Sequence, residues 1–253
     1  MLYLYIINTT KTKKRLNNMN IEEFLNNAKK CWYFAIDVAW DQNIRHNELS
    51  RGTCLKDRSF LRSLLGTDQA KVFTEAVELA DKVATKAEMD VLLPKILEYM
   101  KEKFPPTLES NEYEEGLSIR YATLANNYCY IHFRNAKRPD SFLNCPEYFA
   151  QNLKYIMDKA QKEHNCDTLY TATWLNSLPK FLRFFPQEWH DNLKDTIDFG
   201  ATLGLQGQFI NSAGLLNEVT AKKFLETGVL PYARRESHCS FEAMRKHLAK
   251  LGL

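Results

Sequence analysis

The chain is poor in the residues that punctuate a strand-rich fold. Nine glycines and eight prolines in 253 residues are few for many strands and turns, and the scarcity points to helices. Long apolar runs are missing too: nothing approaches the roughly 20 apolar residues of a membrane span. The six cysteines, at 31, 54, 129, 145, 166 and 239, show no Cys-x-x-Cys spacing and no disulfide framework, so free thiols in a reducing cytosol are expected. The six histidines are scattered, and no His-Glu-x-x-His or Glu-x-x-His pair exists to hold a metal. Also absent are Gly-x-Gly-x-x-Gly, a Gly-Lys-Ser phosphate loop and a Gly-x-Ser-x-Gly elbow. The commonest kinase, hydrolase and metalloprotease chemistries fall away with these motifs, and no metal site is expected.

A strongly basic body is also lacking. The formal charge is +3, but residues 1–20 hold Lys11, Lys13, Lys14 and Arg15 and no acid. Without them 30 bases face 31 acids, so nucleic acid is an unlikely partner. The leading stretch 1–18 is an apolar heptapeptide followed by polar, basic residues, the reverse of a secretory signal. It is expected to be a disordered tail or a mis-assigned start, with Met19 opening the folded chain.

What is present reads as helix. Phe24, Ala28, Cys31, Ala35 and Val38 recur at helical spacing over 21–48. Arg51-Gly52-Thr53 breaks the pattern. A short helix then runs to Leu65 and Gly66, another carries Phe73, Val77 and Ala80, and a third over 86–103 has Pro94 as a kink or boundary. The run over 104–116 is a weak internal boundary, and 19–253 is expected to be one domain. Residues 117–134 fit a helical stripe through Ile119, Leu124, Tyr128 and Ile131, although their aromatics also permit strand. Pro146 and Pro186 begin further helices, Gly228 ends one, and Ser240 caps the last. The expected fold is an all-α, bundle-like protein of about nine to eleven helices with little or no sheet.

Four of the nine glycines, Gly200, Gly204, Gly207 and Gly214, lie within fifteen residues at steps that share one helix face. Each costs about 1 kcal/mol in a helix interior, so close approach of a partner helix or of a flat ligand should offset them. The competing reading is loops in which each glycine serves a turn. Arg120 and Arg134, fourteen apart, would share a helical face as an anion clamp, beside His132. Trp174 and Asn176 precede the Pro179 break, where a ring and an amide can line a pocket. The polar stretch 230–240 holds Arg234, Arg235, His238 and Cys239. Adjacent His238 and Cys239 match no metal spacing and need not face each other as nucleophile and base.

These residues suggest a pocket for a small anionic or planar organic molecule, bounded by Gly204 and Gly207. Arg120, Arg134, Trp174, Asn176 and Arg235 would contact the ligand, and His132 or His238 would serve as acid–base group if chemistry occurs. No cofactor is specified. An interaction protein, or a homo-oligomer packed through the glycine face, is the alternative. A DNA-binding regulator is the third, because helices near 219–227 and 241–250 loosely resemble a helix-turn-helix with an overlong connector.

Overall fold

The computed structural model describes residues 20–66, 70–104, 114–196 and 207–253. The first part is helical, as the periodicity implies. Helix α1 (Ile21–Arg45) starts on the side chain of Asn20, which accepts from the Glu23 amide at 2.8 Å. It is followed by α2 (Arg51–Asp57), α3 (Leu61–Leu65), α4 (Lys71–Lys82), a 3-10 turn (Lys86–Leu92) and α5 (Leu93–Glu102). Ser50 caps α2, so Arg51-Gly52-Thr53 opens a helix where the sequence suggested a break. Gly52 fits there because its amide donates to Asp81 and its bare Cα lets α4 come close. Pro94 marks a boundary, sitting in the first turn of α5, where its missing N–H costs nothing.

The rest corrects the all-α expectation. A five-stranded mixed sheet forms from β1 (Ile119–Thr123), β2 (Tyr128–Phe133), β3 (Thr168–Thr173), β4 (Lys194–Asp195) and β5 (Arg235–Ser240), in the order β1-β2-β3-β5-β4. The presumed helix over 117–134 is a β1–β2 hairpin. Its turn places Asn126 and Asn127 at φ 62° and 61°, a left-handed conformation that asparagine tolerates and helices exclude. Strands β2 and β3 run parallel, joined through α6 (Pro146–His164), while β5 is antiparallel to both β3 and β4. The second half of the polar stretch 230–240 is β5. Its inward positions are Ser237 and Cys239, small residues that give no apolar alternation to read.

Two apolar cores result. One lies among α1–α5 around Trp32, Ala35, Leu55, Leu61 and Met89; the other lies between α6, α10 (Phe241–Lys250) and one face of the sheet, around Phe149, Phe181, Phe185 and Trp189. Residues up to Phe104 pack in the first core, and those from Leu117 through Trp189 in the second. Between β4 and β5 the chain returns to the helical core. Phe209 packs on Phe34 at 5.0 Å and on Phe224 of α9 (Glu218–Thr227) at 5.3 Å. The Leu216 amide donates to Asn27 of α1 at 2.8 Å.

The glycine stripe is only partly within the described residues. Gly200 and Gly204 lie outside them. Gly207–Phe209 is a single 3-10 turn and Gly214 has φ +89°, a turn glycine, so one continuous helix does not run through Gly214. The helix-turn-helix arrangement is not formed either, since β5 lies between α9 and α10.

Candidate functional site

Side chains alternate across a strand, so burial on one face of the sheet fixes the other. Ile119, Cys129, Ile131, Leu169, Ser237 and Cys239 point into the core under α6 and α10. Arg120, Tyr130, His132, Tyr170, Ala172, Glu236 and His238 therefore share the opposite face. Register arranges them in rows. Ala122, Tyr130, Tyr170 and His238 stand side by side across four strands. Toward the carboxyl ends of β2 and β3 the next row holds Arg120 opposite His132 and Ala172 opposite Glu236, with Lys194 of β4 beyond.

The backbone ladder between β2 and β3 ends at the Tyr130–Tyr170 pair. Beyond it the Thr171 hydroxyl donates to the Ile131 carbonyl at 2.8 Å, holding the strands together where they begin to part. Glu236 pairs with Ala172, the smallest residue of the row, and on β2 the open-face position beyond Tyr130 is His132. The gap beside Glu236 over the buried Ala172 methyl, a bay in the row of side chains, lies at the carboxyl ends of a parallel pair, where open α/β sheets place ligands.

Flat rings and charges wall the bay. Tyr130 lies 4.2 Å from the His132 ring and 5.2 Å from the Tyr170 ring; Tyr128 lies 5.9 Å from Tyr170 and 5.8 Å from His238. The Tyr170 hydroxyl donates to Glu236 Oε2 at 2.9 Å. Burial, and then the Glu236 carboxylate, pushes the Tyr170 phenol up to about 12, against a smaller opposing pull from Arg234, so it stays a neutral donor near pH 7. Arg234 Nε donates to the Ala172 carbonyl at 3.3 Å, which brings its guanidinium to the same end of the sheet. Arg120 and Arg234 place two guanidinium groups at this end of the sheet, with the Glu236 carboxylate beside them.

The structure brings together some of the residues singled out from the sequence and separates others. Arg120, His132 and His238 share the open face, and Arg120 also borders a groove of about 710 Å³ running along β1 and α6. Trp174 stands just past the end of β3. It stacks on Tyr232 at 5.7 Å, and its Nε1 would lie 3.3 Å from a Cβ at Gly207, so that glycine serves close approach of a ring. Arg134 turns away from the face, donating to the Leu117 carbonyl at 2.8 Å and the Glu114 carbonyl at 3.1 Å. Asn176 is fully buried on the core side. Its Nδ2 donates to the Arg235 carbonyl at 2.9 Å and its Oδ1 accepts from Trp189 Nε1 at 3.1 Å, so it fixes the start of β5. Arg235 also faces away from the bay, paired with Asp195 at 2.6 Å. Gly204 is outside the described residues.

Tyr130, Tyr170, Ala172 and Glu236 complete the bay and were not singled out, and Arg234 was named with the polar stretch but given no role there. The period-two runs Tyr128-x-Tyr130-x-His132 and Glu236-x-His238-x-Ser240 carry the signal, which a helical reading hides. Cys239 lies on the core face, and burial drives its thiol far above the usual range, so it is no nucleophile. Among the described residues no group of His, Cys, Asp and Glu is arranged to hold a metal ion, and no helix is long and apolar enough to cross a membrane. No family model, curated protein or solved structure matches this chain.

Proposed function

We propose that the protein binds a small anionic organic molecule, with a flat or ring-like part, in the bay over Ala172. The observation that carries this reading is the register: it sets Arg120 beside His132, and Glu236 with Tyr170 on the other flank, around a residue too small to fill the space. Arg120 and Arg234 supply the counter-charge, and each charge-assisted hydrogen bond contributes about 1.5–3 kcal/mol. Tyr130 and Tyr170 offer faces to a ring, and the Tyr170 hydroxyl, held neutral, can donate. His132 is the group able to exchange a proton with such a ligand near pH 7, and Glu236, paired with Ala172, is a second base on the same face.

Benzoate and phenyl phosphate are suitable probes, followed by the side-chain NMR signals of His132, Tyr130 and Tyr170. Binding should shift these signals and spare His164, which lies on α6. Ala172→Phe should fill the bay, lower the melting temperature moderately because Ala172 is buried, and weaken binding at least tenfold. Arg120→Met should weaken it by about tenfold or more, the equivalent of one lost charge-assisted bond. Undiminished binding in Ala172→Phe would remove the bay from the proposal. Probes that move no signal on the open face would end it.

A further inference from the structure

Arg138 belongs to the loop that follows β2, yet its guanidinium lies against the Gly214 turn. A Cβ on Gly214 would stand 2.7 Å from its Nη1 and 3.2 Å from its Cζ. The Nε is buried and has no hydrogen-bond partner. Four other arginines have a partner: Arg45 has Asp41, Arg235 has Asp195, Arg245 has Asp158, and Arg183 has the Leu143 carbonyl. Among the described residues no carboxylate pairs with Arg138. Burial alone lowers its pKa, with no acid opposing the shift. A guanidinium cannot discharge near neutral pH, so a half-buried one with its Nε cut off from solvent and no counter-charge is a standing electrostatic cost.

Both edges beside Arg138 are organised without its help. On the sheet side the Asn135 side chain donates to the Asp140 carbonyl at 2.9 Å and accepts from the Lys137 amide at 3.1 Å. On the other side Asn211 Oδ1 accepts from the amides of Ala213 and Leu215 at 3.0 and 3.1 Å. The Leu216 amide, one residue on, is anchored to α1 through Asn27. Arg138 thus reaches from a loop of the sheet unit to a turn held by the helical core.

We infer that Arg138 is the seat of an oxyanion, a phosphate or carboxylate group, at the seam between the two cores. The planar fork of a guanidinium matches either group, and the bound charge would clamp the loop over 135–140 to the turn over 211–215. The seat does not draw on the ligand proposed for the bay, because Arg138 is not among that bay's residues.

Thermal melts of the full chain, of Arg138→Met and of Arg138→Lys test it, against inorganic phosphate, against succinate, and against sodium chloride at matched ionic strength. With no oxyanion present, Arg138→Met should be at least as stable as the parent, since it removes an unpaired, half-buried charge. The parent's melting temperature should climb by several degrees with increasing phosphate or succinate. Whichever of the two acts at lower concentration identifies the preferred group. Arg138→Met should stay flat, and Arg138→Lys, which keeps the charge but loses the fork, should respond weakly. Parallel rises in all three proteins would mean general salt exclusion and overturn the inference. A flat parent, or an Arg138→Met that melts lower without oxyanion, would also overturn it by making the guanidinium a structural group. Should Arg138→Met fail to fold, the Arg138 Nε–H signal of the parent decides. Phosphate or succinate must shift it at concentrations where chloride does not, and an unmoved signal overturns the seat.

Discussion

The two cores bury one tryptophan each completely, and they treat its ring nitrogen differently. In the helical unit Trp32 is 0% exposed and its Nε1 has no hydrogen-bond partner. In the sheet unit Trp189 is equally buried, but its Nε1 donates to Asn176, whose own amide group ties down β5. Helices satisfy their backbones internally, so α1–α5 need only apolar surface to pack, and an orphaned indole N–H is tolerated. A sheet assembled from segments as distant as 119–123 and 235–240 needs polar contacts to fix its register, and the buried amide supplies them.

The largest effect that separates the units should come from Phe149→Ala. Phe149 is 0% exposed, with Phe184 at 4.7 Å and Phe142 at 5.5 Å, and its loss should cost about 3–5 kcal/mol. Hydrogen exchange should show the amides of β2, β3 and α6 losing protection first, with those of α1 following less. Equal loss in both units would mean one cooperative core, and the contrast between them would collapse.

Gly52→Ala probes the helical unit in the same way. The new Cβ would lie 2.5 Å from Asp81 Oδ2 and 2.6 Å from the Val77 carbonyl oxygen, which forces α2 and α4 apart. The expected cost is about 1–3 kcal/mol in a denaturant melt, despite the better helix propensity of alanine. A melt matching the parent would show that this helix contact is slack.

The tryptophans themselves sharpen the comparison. Trp189→Phe strands the Oδ1 of Asn176, whereas Trp32→Phe discards an N–H that had no partner. Both lose ring volume, so the difference between them isolates the hydrogen bond. Trp189→Phe should be the more destabilising by about 1–2 kcal/mol. Equal costs would remove the polar argument for the sheet unit.

The smallest effect is a pH dependence at the sheet unit's entry. Glu114 bonds Lys159 first and Tyr155 second, and these hold its carboxyl below the usual carboxylate range. A pKa lowered on folding adds stability that is present above the unfolded value, roughly 4.3, and lost as pH falls through the folded one. Its side chain is 45% exposed, so the contribution is small. Glu114→Gln should flatten the acid side of a stability–pH curve slightly and leave neutral pH almost unchanged. A steeper acid limb would reverse the sign.

The helical unit was legible because its period and its capping residues are local. Pro94 as a boundary and Gly66 as a stop are local features, as are Gly228 and the Ser240 cap elsewhere in the chain. The sheet was not, for a physical reason visible in β5. Its inward residues are serine and cysteine, and one of its neighbours, β3, lies more than sixty residues earlier in the chain. Burial there comes from what packs on the strand and leaves little mark on its composition. The bay shares that obscurity. Arg120, His132 and His238 drew notice by residue type, but helical spacing joined Arg120 to Arg134. Strand register joins it to His132 and sends Arg134 to the Leu117 carbonyl instead.

By itself, then, the sequence determined the helical character of the first hundred residues, with Gly66 as a stop and Pro94 as a boundary though not the helix that opens at Arg51, and the absence of the familiar nucleotide, metal and hydrolase motifs, because each rests on residues within a few positions of one another. Only the tertiary structure decided which polar residues meet. Tyr170 reaches Glu236, and Glu236 pairs with Ala172, through strand pairings that no local pattern encodes, and Arg138 meets Gly214 through the return of the chain to the helical core. Such contacts close long loops, and the free energy that selects them resides in the assembled cores rather than in any one segment.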